Sequence, residues 1–272
     1  MGSGGGSALT LLETRRDGDL LFATMNDPAR ANALSPALAA ELTALYRRDL
    51  RAEGVRAILL AGAGKHFCAG ADLEHLKSLQ GSSELDNRLD SGRLRDLFEA
   101  ILRQEALTLA LVQGSCVAGG CGLATASDFV VAAEDARFLY SEVRIGFVAA
   151  LVATYLPMRV SGRDLRELLL NPDFVAAPRA LEIGLVNRVV APGQLAAAGA
   201  ALAGEILAKA SSESIARTKR LLLSLPGLSL EERLTVAAEA NAAARATADC
   251  RRGIATFLAE KRTPDWRTPG DA

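Results

Sequence analysis

The chain has no surplus of positive charge: 31 lysines and arginines face 32 aspartates and glutamates, a net charge of -1. A sequence-independent grip on nucleic acid works by displacing counterions with basic side chains, so no nucleic-acid partner is expected. Cysteine is scarce as well. Cys68, Cys116, Cys121 and Cys250 form no C-x-x-C pair, and only His66 and His75 could join them, so no metal site is expected. Sparse, unpaired cysteine fits a reducing compartment and points to a cytoplasmic protein. No apolar run approaches the ~20 residues that cross a bilayer, so no membrane partner is expected either. The start, 1–7, is glycine- and serine-rich and uncharged. It reads as a disordered or appended leader rather than a targeting peptide.

What the chain does have is apolar substance, half of its 272 residues, enough for a sizeable core. Short strands are expected at Leu9–Thr14 and Leu20–Met25, joined by a turn at Arg16-Asp17-Gly18-Asp19. Ser35-Pro36 has the form of a helix start, a capping hydroxyl followed by proline at the first helical position. Leu38, Leu42, Leu45 and Tyr46 then share one helical face. Strands at Ala57–Ala61, Leu107–Gln113, Phe129–Ala132 and Arg137–Tyr140 alternate with helices at Glu84–Gln104 and from about Gly120. That alternation predicts an α/β fold. Beyond about Pro192 strand signals vanish, and three alanine-rich helices are expected, broken at Ser211-Ser212 and Pro226-Gly227. The domain plan is therefore a core at 8–191 and a C-terminal helical region at 192–272.

Three places depart from ordinary core-building sequence. In Gly64–Leu73 a strand opens into small residues, and Asp72 stands where a helix would begin. Val117–Leu123 is a second glycine-rich turn feeding a helix. Small side chains let a ligand approach the backbone, and helix starts carry unpaired N–H donors. Either turn alone is a common structural device. Two together could aim two amides at one oxygen, as an oxyanion hole does. The third place is Glu142 in Ser141–Phe147, between an apolar strand and an expected hydrophobic helix. Partly buried, it would pass protons near neutral pH; the alternative is an ion pair with Arg144 or another arginine.

The segments "GKHFCAGADL", "VAGGCGLATASD" and "SEVRIGFVAAL" resemble, in order and spacing, signature segments of the crotonase (enoyl-CoA hydratase/isomerase) superfamily. The likeness extends from "NDPARANALS" through "ALEIGLVNRVV" to "GIATFLAEKRTPDW", nearly the whole chain after the leader. It implies a spiral of ββα units with a C-terminal helical region, assembled as a homotrimer or a dimer of trimers. The ligand it implies is an acyl-CoA thioester, with coenzyme A entering as part of the substrate and no separate cofactor. Ala71 and Gly119 would supply the oxyanion-hole amides and Glu142 the acid–base group. The loop Ala69, Gly70, Ala71, Asp72 and Leu73 would hold adenine and pantetheine, with Gly120 and Gly122 on the second turn. Arg30, Lys65 and Lys261 match positions of positive charge near the CoA phosphates. Phe147, Val148, Leu151 and Val152 would line the acyl pocket or fill ordinary helix core.

Two-glutamate hydratases of that superfamily carry a glutamate where this chain has Gly122, so only Glu142 is retained. Adding water to a 2-enoyl thioester handles two protons, whereas moving a double bond from position 3 to position 2 needs one base. The carboxylate count leans toward an isomerase of fatty acid metabolism. The form "GG-x-GL … SEV-R-x-G" instead resembles hydratases, methylglutaconyl-CoA hydratase-like sequences among them, and an enoyl-CoA hydratase is the first expectation. Asp72 or Glu74 could stand in for the missing acid, but Asp72 reads as a helix cap. Asp128 reads as structural. A decarboxylase or thioesterase could use the same oxyanion hole, and fold alone does not choose.

Overall fold

The computed structural model describes residues 10–267. The leader 1–7 and Leu9 lie outside them. Strand β1 (Leu12–Asp17) turns at Gly18-Asp19 into β2 (Leu20–Met25), with Asp17 paired to Leu20. The first strand thus runs three residues later than Leu9–Thr14. It is an edge strand whose only buried side chain is Leu12, and its charged residues Glu13, Arg15 and Arg16 hid it among loop-like sequence.

Helix α1 (Pro36–Tyr46) begins where expected, the Ser35 hydroxyl accepting from the Leu38 amide at 3.2 Å. Then come β3 (Ala57–Gly62), the short α2 (Leu73–Ser78), α3 (Glu84–Arg103), β4 (Leu107–Val112), β5 (Ser115–Val117) and α4 (Gly119–Ala126). They are followed by β6 (Phe129–Ala133), β7 (Arg137–Leu139), α5 (Gly162–Leu170), β8 (Val175–Ala176), α6 (Ala177–Glu182) and β9 (Arg188–Val190). The large sheet has the order β1-β2-β3-β4-β6-β9, parallel except for the β1–β2 hairpin. A small sheet, β5-β7-β8, lies beside it, and the isolated bridges Leu34–Ala71 and Cys68–Cys116 bring two loops alongside. Chain segments leave the large sheet, pass the small one and return by a helix, so the fold is the ββα spiral.

Parallel strands covered on both faces read as unbroken apolar runs, and β3 and β4 do. Ile58, Leu60, Ala110 and Val112 face α1, α3 and α4; Leu59, Leu107, Leu109 and Leu111 face the opposite side. That second face is covered by α7 (Leu195–Lys209) through Leu202, Ala203 and Leu207. Burying each leucine fully contributes roughly 1.5–3 kcal/mol. The C-terminal stretch is also tied by Arg56, whose guanidinium donates to the carbonyls of Trp266 (2.7 Å), Leu207 (3.1 Å) and Ala210 (3.3 Å). Asp128 is structural, accepting from the Thr108 amide at 2.8 Å and pairing with Lys219 at 2.6 Å.

Two expectations are corrected. After Gly146 there is no hydrophobic helix: 147–151 runs irregularly, then makes single 3₁₀ turns at Val152–Thr154 and Leu156–Met158. Pro157 has no N–H to continue a helix. Among the described residues the C-terminal region also has four helices rather than three: α7, α8 (Ser212–Ser224), α9 (Leu230–Arg245) and α10 (Ala248–Glu260). The extra break comes without glycine or proline. The Thr247 hydroxyl accepts from the Cys250 amide at 3.1 Å and starts a new helix.

Candidate active site

The loop after β3 is sewn between two neighbours. Ala69 donates to the Ala31 carbonyl (2.9 Å) and Leu34 to that of Gly70 (2.7 Å), while Phe67 and Val117 bond across the other side to Gln113 and Cys68 (both 2.9 Å). Gly70 has φ +86°, and a Cβ there would stand 2.7 Å from the Val117 carbonyl oxygen. A Cβ on Gly120 would likewise stand 2.7 Å from the Cys68 carbonyl. The missing side chains let the two turns pack backbone on backbone.

The second turn is strained. Ala118 takes φ 47° and ψ -117°, a conformation costly for any residue with a Cβ, and its amide is anchored on the Leu139 carbonyl at 2.7 Å. That twist sets the plane of the next peptide. Its carbonyl accepts the first bond of α4, from Gly122 at 3.1 Å, so the Gly119 N–H points back off the helix end. Among the described residues neither the Ala71 nor the Gly119 amide donates to a protein acceptor. Both border one cavity of about 570 Å³, together with Ala69, Ala118, Asp72 and Glu142.

Glu142 opens a 3₁₀ turn, Glu142–Ile145, which Gly146 closes. Its Oε2 is buried without a hydrogen-bond partner, and burial raises its pKa above the ordinary carboxylate range. The alternative ion pair does not form among the described residues: Arg144 donates instead to the Pro172 carbonyl, and no other arginine reaches Glu142. Phe147 and Val148, 57 % and 64 % exposed, line the cavity rather than a helix core, as do Leu151 and the buried Val152.

Asp72 caps α2, accepting from the Glu74 and His75 amides at 2.9 and 3.3 Å, and receives Arg30 at 3.1 Å. Arg30 is held in turn by Asp27 at 2.7 Å, on the outer side of the first loop. Glu74 is exposed, and the side chain of Leu73 lies outside the described part. Lys65 and Lys261 are exposed, and neither borders the cavity. Gly120 and Gly122 lie buried behind it. A Cβ on Gly122 would meet the Phe98 ring at 2.6 Å, so an α3 aromatic fills the space where a side chain at that position would project.

The cavity wall also holds residues that sequence reasoning missed. His75 Nε2 meets Asp90 Oδ1 at 2.7 Å, and Arg93 Nη1 reaches the same oxygen at 3.1 Å. All three border the cavity beside Leu94 and Phe98. The only available signal was that His75 is one of two histidines, four positions beyond Ala71.

Two unpaired amides can stabilise charge developing on an oxygen, and a partly buried carboxyl on the same cavity can move a proton. Residues 15–269 match the sequence model of the enoyl-CoA hydratase/isomerase family. A candidate enoyl-CoA hydratase of Thermus thermophilus is 44% identical over 248 residues, 91% of this chain and 97% of that protein. The peroxisomal Delta(3,5)-Delta(2,4)-dienoyl-CoA isomerase of Arabidopsis thaliana is 30% identical, covering 93% and 95%. The crystal structure of a Mycobacterium smegmatis enoyl-CoA hydratase superposes with a TM-score of 0.87 at 34% identity, over 95% of this chain and 99% of that one.

Proposed function

Because the chain belongs to the enoyl-CoA hydratase/isomerase family, we propose that it adds water across the double bond of a 2-enoyl-CoA thioester. The carrying observation is that two free amides and one partly buried glutamate, whose Oε2 has no hydrogen-bond partner, border a single cavity. The thioester oxygen accepts from the Ala71 and Gly119 N–H groups. Glu142 takes a proton from water as the water oxygen bonds to C3, and charge gathers as an enolate on the held oxygen. Glu142 then returns the proton to C2. Each amide supplies about 2.7–4 kcal/mol of transition-state stabilisation. Ala69–Leu73 receives the adenine and pantetheine, and Arg30, Lys65 and Lys261 serve the CoA phosphates. The hydratase names of relatives such as the Thermus thermophilus protein support this reading.

One observation favours a second reading, transfer of a double bond from position 3 to position 2. With Phe98 against Gly122 and with Asp72 and Asp90 tied to Arg30 and Arg93, Glu142 is the one cavity carboxyl, among the described residues, outside an ion pair and with an oxygen, Oε2, lacking a hydrogen-bond partner. A single base suffices for that reaction. Incubating the protein with 2-enoyl-CoA and 3-enoyl-CoA separates the readings by product mass, since hydration adds one water and isomerisation adds nothing. Glu142→Gln should lower kcat by roughly 10²–10⁴-fold while acyl-CoA still binds; undiminished turnover refutes both readings. Because the folded protein raises the Glu142 pKa, the ionised form weakens the fold above that pKa. The glutamine variant should therefore melt higher than the parent at neutral pH. The parent's kcat/KM should fall on acidification at a pH above the ordinary carboxylate range.

The assembly is proposed to be a homotrimer or a dimer of trimers. Supporting it, Leu222, Leu230, Leu234, Ile254, Phe257 and Leu258 on α8–α10 stand exposed. A cytoplasmic location is proposed on the free thiols of the four cysteines. Among the described residues no helix is long and apolar enough to cross a membrane.

A further inference from the structure

The proton chemistry above leaves His75, Asp90 and Arg93 unused, although they border the same cavity. A pocket for a plain hydrocarbon chain gains nothing from them, because each polar group facing it must be desolvated when the chain arrives. Their arrangement is specific. Asp90 Oδ1 takes contacts from both His75 and Arg93, and Arg93 spends one nitrogen on it, leaving most of its guanidinium fork free. No bond from the Ser91 hydroxyl, also on the wall, is seen among the described residues.

Depth along α3 says what the cluster can touch. Phe98 marks the inner end, buried against Gly122, one helical turn from Gly119 on α4. Arg93 and Asp90 precede Phe98 by five and eight residues, hence by roughly 8 and 12 Å along the axis. They stand too far out to reach the carbons beside the thioester, but within reach of a group several bonds along the acyl chain. Between the two levels the wall is Leu94.

We propose, building on the acyl-CoA reading above, that the acyl chain of the substrate ends in a carboxylate received by Arg93, with His75 beside it and Asp90 holding both in place. A planar guanidinium with free parallel N–H groups matches a carboxylate bidentately, and the apolar wall accommodates the methylenes between the two polar ends.

The test is a binding comparison needing no turnover: calorimetric Kd values for adipoyl-CoA and hexanoyl-CoA, equal in carbon number and differing in the terminal group. The wild-type protein should bind adipoyl-CoA at least ten-fold tighter. Arg93→Gln should collapse that ratio to within two-fold of unity. A wild-type ratio near or below one, or a ratio that survives the substitution, overturns the proposal. Failure of hydration with the corresponding 2-enoyl thioesters would sink the reaction assigned above, and the binding ratio would still decide the terminal group.

Discussion

The two strand-to-helix turns that meet at the cavity are built in opposite ways. The first opens a six-residue helix whose leading amides, those of Glu74 and His75, are already taken by the Asp72 carboxylate. Its positive φ falls on Gly70, at no steric cost. The second opens the eight-residue α4 with no capping side chain, and its positive φ falls on Ala118, which has a Cβ. The capped turn offers one amide, that of Ala71, just ahead of its cap. The uncapped turn keeps its donors free and holds the Gly119 peptide by strain. A helix start thus keeps a donor free when its cap is withheld, and the neighbouring chain must supply the rigidity a cap would have given.

That contrast can be broken in order of severity. Gly70→Ala puts a side chain into a left-handed conformation and onto the Val117 carbonyl, forcing the turns apart. A shift on the order of 1 Å costs about 10²-fold in rate, so kcat/KM should fall by about that factor and the melting temperature with it. Asp72→Ala removes the cap and leaves the Arg30 fork one carboxylate short. Chemical denaturation should register a loss of about 1–2 kcal/mol, with KM for the acyl-CoA rising more than kcat falls. Ala118→Gly should do the reverse to stability, relieving strain for a gain of up to about 1 kcal/mol, with no gain in kcat because the Gly119 peptide is then held less firmly. If Ala118→Gly destabilises the protein, the turn is not strained in the way described.

Much of this was legible in the chain itself, wherever the controlling physics is local. Ser35-Pro36 and Asp72 announced their helices because a cap acts within three residues, and β3 and β4 announced themselves because both faces are buried. The segment 147–152 did not, because its apolar side chains answer to a cavity rather than to a helix period. The break at Thr247 hid because a threonine inside an alanine-rich run reads as tolerated sequence. The His75–Asp90 contact spans 15 positions and exists only because α2 folds back on α3, which no periodicity encodes. The strain at Ala118 was equally invisible, since nothing in the letters distinguishes a relaxed alanine from a twisted one.

Arg56 carries a consequence for synthesis of the chain. The half-buried guanidinium at the start of β3 waits for the Trp266 carbonyl, 210 residues downstream, as one of its acceptors. A polypeptide ending before Trp266 would have every residue of the cavity wall in place and a charged side chain short of one partner. Such a product would keep its cavity wall yet lose a hydrogen bond to a charged group, about 1.5–3 kcal/mol, a deficit that cellular proteolysis would read before any assay did.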